Sequence, residues 1–427
     1  MALTADPLVI GLTGPFGSGC STYANALAHL DPPFKVAKLS DEVRAAWSQE
    51  SKPSREDLQK LGDTLRETKG TGVLASEAAR RLETDDQETY SRVALDGIRN
   101  TGEIDWLRNR FGDRFFLFAI YAPAQVRWDR VRDTYTAAGL DQQDFLDDDA
   151  RDNGEETAHG QQVELCVDRS DVFLSNSESL SDMQRAAQLR ARALEYVNLL
   201  TGDAPRYPTG DEVLMNVAFS SAHSTRCLKR QVGAVIATAQ GEPISVGYNE
   251  NPDKLKPCID EFGECYRDRI RNDHFLQLAN KTVCPSCGEK IPRLVGPPWK
   301  CTKCGANLER YFFPDRAMKW CTALHAEERA IINAQGRDLT DAVIYTTAFP
   351  CFLCAEKILQ AGIVRIVFAD PYPDIYSAEL LDHADPPVEV QRFEGVRSGS
   401  FDRIFGRIRE LKEAEVDAQR REAFNAS

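Results

Sequence analysis

A His and a Glu stand two residues apart in "TALHAEERAI" (322–331), and two Cys stand three apart, directly after Pro350, in "TTAFPCFLCAEKI" (346–358). His325, Cys351 and Cys354 are ligands of the type zinc takes, and three protein ligands leave the fourth tetrahedral position open to water, as a catalytic site requires. Bound zinc lowers the pKa of that water to about 7. Glu327 sits two residues from a ligand and need not bind metal, so it can carry protons between the water and the group under attack. A structural zinc, or unrelated core residues, would be the reading of either pair alone.

The elements around these residues must bring the pairs together. Helix 324–335 opens at His325, strand 342–348 follows, and helix 352–361 opens at the Cys pair. Strands at 232–239 and 243–250, joined by a Gln240-Gly241 turn, and at 363–370 and 388–393 complete a second α/β sheet, with helices at 211–223 and 375–384. Helices on one face of a sheet can place their N-termini side by side. Residues 251–320 read as a long irregular stretch that carries Cys, and 402–424 as one charged helix.

Twelve Cys are many for a chain without disulfides, and six of them form C-x-x-C pairs. Beyond Cys351 and Cys354 these are Cys284 with Cys287 and Cys301 with Cys304, each pair followed by Gly. Four thiolates with no His make a closed structural zinc site. Its role is a staple for an insertion without its own core, in preference to a contact for nucleic acid or a partner. For Cys258, Cys265 and Cys321 two readings stand open, another metal site or burial as small apolar residues.

The first 200 residues alternate strand and helix, with strands at 8–13, 34–39, 92–97, 115–122 and 172–176, which argues a parallel sheet covered on both faces. Between them, the acidic 140–170 reads as a solvated lid or loop. After the first strand comes "GPFGSGCST" (14–22), a Gly-rich turn opening a helix, where backbone amides favour a phosphate. Gly14, Gly17, Gly19, Ser21 and Thr22 meet the P-loop pattern, but Cys20 occupies the Lys position. Asp96, at a strand end, would be the acid on the Mg²⁺ side. "TGDAPRYPTGD" (201–211) is the linker, so the expected division is 1–201, a linker at 202–210, a second domain at 211–400 with the Cys insertion at 283–306, and a C-terminal helix at 401–427.

The chain has 427 residues, 42% hydrophobic and 28% charged, and a net charge of −14 from 66 acids and 52 bases. Phosphate contacts dominate nucleic-acid affinity, so an acidic chain disfavours a polynucleotide substrate. The N-terminus shows no signal peptide and no run suits a membrane span, so a cytoplasmic location and no membrane partner are expected.

The H-x-E…P-C-x-x-C arrangement is that of the zinc deaminases of cytosine and adenine. With "STRCLKRQVGAVI" (224–236) and "VGYNENP" (246–252), residues 211–393 resemble the deoxycytidylate deaminases of the cytidine deaminase superfamily. That resemblance implies a cytidine deaminase-like α/β/α sandwich with a zinc-knuckle insertion, about two zinc ions per chain, Glu327 as proton shuttle and Asn249 as sugar ligand. It also implies Tyr345 and Thr346 in the base pocket, and phosphate contacts from Arg226, Lys229 or Arg230. Residues 8–200 resemble nucleoside-monophosphate and dephospho-coenzyme A kinases through "GLTGPFGSGCST", "SDEVR" (40–44), "ALDGIRNTGEIDWLR" (94–108) and "RWDRVRD" (127–133). They imply a P-loop kinase-like parallel sheet with a nucleotide and Mg²⁺, and Arg127 or Arg130 as replacements for the missing charge.

The two halves together resemble the bacterial anti-phage deoxycytidine nucleotide deaminases, which implies conversion of dCMP or dCTP to the deoxyuridine nucleotide. A homo-oligomer, a regulatory nucleotide and an inhibitory RNA or protein are the partners that go with this resemblance. Two competing readings are a housekeeping supply of deoxyuridylate for thymidylate synthesis and a nucleotide-sensing regulatory protein. The intact His325, Glu327, Cys351 and Cys354 argue against the last, because a scaffold needs no proton shuttle.

Overall fold

The computed structural model describes residues 3–48, 53–84, 89–153, 159–177, 182–284, 286–291, 300–308, 321–370, 375–406, 412–413 and 416, apart from 280–282. The chain forms two compact units, Met1–Glu212 with Phe393–Ser427, and Val213–Arg392. Strands are numbered along the chain.

Unit one is built on β1 (Leu3–Thr13), β2 (Lys35–Lys38), β3 (Tyr90–Asp96), β4 (Phe115–Tyr121), β5 (Val172–Ser175) and β11 (Gly395–Val396), in the order β11-β5-β4-β1-β3-β2. The first five strands run parallel, and β11 closes the edge antiparallel to β5. Both faces of the central strand are covered, which is why β1 reads as an unbroken apolar run. Leu8, Ile10 and Leu12 pack on one core with Tyr23, Leu27 and Val197. Val9 packs on the other with Leu74, Leu95 and Ile104. Leu12 of β1 pairs with Asp96 of β3, so the turn after Thr13 emerges beside that carboxylate. This is the point where the strand order reverses, the usual ligand crevice of such sheets.

Two expectations for this unit are corrected. The acidic stretch 140–170 is not a loop, since it contains helices Gln142–Asn153 and Val163–Asp168. Asp141 and Asp144 cap the first through reciprocal bonds to backbone N–H groups. Its Phe145 is buried against Trp128 and Tyr135, and its Asp149 pairs with Arg127. A single buried aromatic among many acids leaves too weak a period to see in sequence. At the other end, the 393–400 segment expected in the second domain lies in unit one. Helix Ser398–Phe405 starts earlier than the helix expected over 402–424, whose described residues 412, 413 and 416 are also helical and whose remainder lies largely outside the described residues. The segment is fixed by Asp171, which is buried, accepts from the Ser400 hydroxyl and forms an ion pair with Arg403 at 2.7 Å.

Unit two holds β6 (Gly233–Ala237), β7 (Pro243–Tyr248), β8 (Val343–Ala348), β9 (Arg365–Asp370) and β10 (Glu389–Arg392), in the order β10-β9-β8-β6-β7. β8, β9 and β10 are parallel, and β6 runs antiparallel to both neighbours. Helices Ala326–Asn333 and Phe352–Gln360 flank β8 in sequence and share one core, with Ala330, Ala355 and Ile358 against Ile236 and Ile344. The first helix rides directly on β7. A Cβ on Gly247 would stand 2.1 Å from the Ala326 carbonyl oxygen, so only Gly permits this approach. The 251–320 stretch is not wholly irregular either, because it contains helices Cys258–Phe262 and Tyr266–Ala279. No helix among the described residues is long and apolar enough to cross a membrane.

Candidate active site

His325 and Cys351 each occupy the extended N-cap position of their helices, which turns both side chains toward the space beside the C-terminal end of β8. There His325 Nδ1 lies 3.3 Å from Cys351 Sγ and 3.2 Å from Cys354 Sγ. With Zn–S near 2.3 Å and Zn–N near 2.0 Å, a tetrahedral site has ligand-to-ligand edges of about 3.5 Å. The three donors therefore fit one zinc ion with a fourth position open. Hydrogen bonding from Cys354 and then from His325 holds the Cys351 thiol well below its ordinary value, the thiolate a metal needs.

Glu327 stands behind this cluster with 4% of its surface exposed. Its Oε2 lies 3.6 Å from Cys354 Sγ, and its Oε1 accepts from the Thr346 hydroxyl at 3.3 Å. Burial pushes its carboxyl upward, so it takes a proton more readily than a surface Glu. Thr346 was expected in the base pocket. It is fully buried, and its one hydroxyl proton is shared between Glu327 Oε1 at 3.3 Å and the Ala348 carbonyl at 3.0 Å, which places it against the acid. Tyr345 is also buried in β8, and neither it nor Thr346 lines the cavity.

That cavity has a volume of about 460 Å³, with His325, Glu327 and Cys351 in its wall. Asn249 lines it too, but its amide is engaged, accepting from Val232 N at 2.7 Å and donating to the Arg230 carbonyl at 2.7 Å. Arg329, one turn into the His helix, donates to the Glu250 and Asn251 carbonyls at 3.2 and 2.7 Å and holds the end of the "VGYNENP" segment against the helix. Lys229 and Arg230 line the same cavity, and facing residues Arg267 and Arg271 come from helix Tyr266–Ala279. The expected Arg226 is absent from the lining and pairs with Asp260. Arg267 and Arg271 were missed in sequence, where the only signal was two Arg four apart in "YRDRIRND".

The second Cys set closes on itself. Cys284 lies 3.7 Å from Cys304 and Cys287 3.7 Å from Cys301, and all four sulfurs lie within 4.8 Å of one another. A tetrahedral zinc–thiolate site has edges of about 3.8 Å, so the four fit one ion. The two knuckles repeat one bonding pattern, with Gly288 N donating to the Cys284 carbonyl and Gly305 N to the Cys301 carbonyl, both at 2.8 Å. Backbone amides of Cys304 and Lys303 hold the Cys301 thiol down to about 6. Metal analysis should return about two zinc ions per chain. Cys287→Ser should lower metal content by one and reduce soluble yield, while a chain with one zinc and oxidised knuckle Cys would refute the staple.

In unit one a cavity of about 570 Å³ is lined by Gly14, Gly17, Gly19, Cys20, Ser21, Thr22 and Asp96. The Ser21 hydroxyl donates to Asp96 Oδ2 at 2.6 Å. Gly19 has φ +109°, and a Cβ there would meet the Asn176 amide at 2.3 Å. Arg127 does not reach into this cavity. It is buried in a two-pronged pair with Asp149, at 2.5 and 2.8 Å. Arg130 lines the cavity and donates to the carbonyls of Gly17, Ser18 and Asn176.

Residues 208–370 match the cytidine and deoxycytidylate deaminase zinc-binding region. Most of that stretch lies in unit two. A deoxycytidylate deaminase of Schizosaccharomyces pombe is 26% identical over 392 residues, which cover 88% of this chain and 94% of that protein. A UPF0200 protein of Saccharolobus islandicus is 34% identical over 123 residues, 29% of this chain and 62% of that protein. Among solved structures, the cyanophage S-TIM5 dCMP deaminase in complex with dCMP and dUMP is 18% identical with a TM-score of 0.26, covering 44% of this chain and 99% of that one.

Proposed function

We propose that the deaminase unit hydrolyses a deoxycytidine nucleotide, dCMP or dCTP, to the deoxyuridine nucleotide and ammonia, with zinc held by His325, Cys351 and Cys354. The observation that supports this most is the buried Glu327 carboxylate, aimed at an open three-ligand cluster on the wall of a nucleotide-sized cavity. When bound, zinc supplies an acidified water. Glu327 takes one proton from that water and delivers it to the ring nitrogen next to C4 as the water oxygen bonds to C4; it then takes the second proton from the same oxygen and gives it to the amine as the C4–N bond breaks, leaving the C4 carbonyl and ammonia. Thr346 holds the carboxylate oriented through this cycle. Burial that raises the Glu327 pKa favours uptake of the proton, and the basic form is regenerated when the amine leaves.

A chain of net charge −14 places Lys229, Arg230, Arg267 and Arg271 around one cavity. That concentration supports a phosphorylated substrate over a nucleoside. Arg271→Ala should raise KM for the nucleotide by roughly tenfold and leave kcat nearly unchanged, since it removes binding shared by ground and transition states. Equal loss in kcat would assign it a different role.

Depletion of cytosine deoxynucleotides in anti-phage defence is the role that the combined kinase-like and deaminase halves support. The likeness along most of the Schizosaccharomyces pombe deoxycytidylate deaminase favours a second role, supply of deoxyuridylate. The deciding experiment incubates purified protein with each cytosine nucleotide and resolves the uracil products. Conversion of dCTP supports depletion, and conversion of dCMP alone supports deoxyuridylate supply. No uracil product from any of them overturns the deaminase assignment.

A further inference from the structure

The basic wall of the deaminase cavity is tied to an acid. Lys229 belongs to the segment that leads into β6, and Arg267 and Arg271 lie one turn apart on helix Tyr266–Ala279. Asp268 stands between the two elements. Its carboxylate forms an ion pair with Lys229 and lies 3.6 Å from Arg267 Nε. A second pair, Arg226 with Asp260 of helix Cys258–Phe262, joins the same segment to the same stretch of chain. Phe262 and Tyr266 pack with ring centroids 4.9 Å apart and link the two helices that carry these acids.

Lys229 and Arg267 line the cavity and Asp268 does not, so the acid acts on a ligand there through the two cations. A phosphate that binds Lys229 must replace the carboxylate as its partner. The Lys229 side chain is 46% exposed, and ion pairs this open to water are weak. A phosphate, with more charge and more acceptor oxygens, therefore displaces Asp268 at a small cost. The displaced carboxylate stays close by and repels the phosphates, the more so the more charges they carry.

We propose that Asp268 is a specificity-determining residue of the deaminase unit, competing with substrate phosphates for Lys229 and Arg267 and so weakening a triphosphate more than a monophosphate. The inference rests on the deoxycytidine nucleotide reading of this cavity. Its role is a positioning one, because Asp268 works through two cations and touches no reacting atom.

Asp268→Asn keeps the shape of the side chain and removes its charge. In the full zinc-loaded chain it should lower KM roughly twofold for dCMP and roughly fivefold for dCTP, with kcat nearly unchanged. Where one of the two is not turned over, its inhibition constant against the other carries the same comparison. Inhibition by deoxycytidine, which has no phosphate, should not shift, and Asp268→Glu, which keeps the charge, should restore the natural KM. Lys229→Ala should raise KM for dCTP, and Asp268→Asn added to it should recover most of the loss. Circular dichroism and zinc content check the fold, and Asp268→Ser is read by the same criteria if the Asn variant does not fold. A KM that is unchanged or raised overturns the proposal. So does an equal shift for dCMP and dCTP, or a shift of the same size for deoxycytidine. Absence of any uracil product from the natural chain is a different failure, since it removes the nucleotide reading itself and this inference with it.

Discussion

Glu327→Gln is expected to reduce deamination by roughly a hundred- to ten-thousand-fold while zinc content and thermal stability stay near those of the natural chain. Gln has nearly the same shape and can still accept from the Thr346 hydroxyl, so the packing around this buried position survives. What it cannot do is take up and release a proton. His325, Cys351 and Cys354 are untouched, which separates this variant from His325→Ala, where one of the two zinc ions and the activity should disappear together. Turnover by Glu327→Gln within a few-fold of the natural rate, at full zinc content, would remove Glu327 from the mechanism.

The largest effect on stability should come from Arg127→Ala. Its guanidinium is buried and carries four bonds, to both Asp149 oxygens and to the Ala122 and Phe16 carbonyls. Removing one partner of a buried pair leaves an uncompensated charge, at a cost of about 3–5 kcal/mol. Asp149 would be that charge, and helix Gln142–Asn153 would lose its anchor on helix Ala124–Ala137. Urea unfolding should show the shift, and Arg127→Leu combined with Asp149→Leu should recover much of it. A single variant that unfolds at the natural urea midpoint would mean that the pair contributes little.

Much of this architecture could be read before any coordinates. His325 and the Cys pair were legible because zinc chemistry restricts both residue type and spacing, and the β1 turn because its glycines are required by backbone geometry. Regular alternation on covered sheets made the strands of both units visible. What could not be read depends on contacts between distant residues. Thr346 resembles any strand residue until Glu327 is placed beside it, 19 positions away in sequence. Arg267 and Arg271 belong to the cavity only because helix Tyr266–Ala279 folds back onto it. The acidic helix Gln142–Asn153 was hidden because one buried aromatic, Phe145, and ion pairs through Asp148, Asp149 and Arg151 hold it, with no repeating apolar face.

Glu212, the last residue of unit one before the chain enters unit two, is buried and accepts from Arg206, from Thr209 N and from Val396 N at 2.9 Å. The outgoing helix and the returning strand thus meet at a single carboxylate, and unit two is an insertion within the sequence of unit one. Synthesis runs from the N-terminus, and domains tend to fold as they emerge. Here the first unit to emerge cannot finish: β11 and the helix that closes on Asp171 are made only after the whole deaminase unit. A ribosome that stalls inside unit two leaves unit one with an open sheet edge, the kind of surface on which chains aggregate. Cutting the chain at residue 393 would remove nothing from the deaminase sheet and would take away the last strand of the kinase-like one.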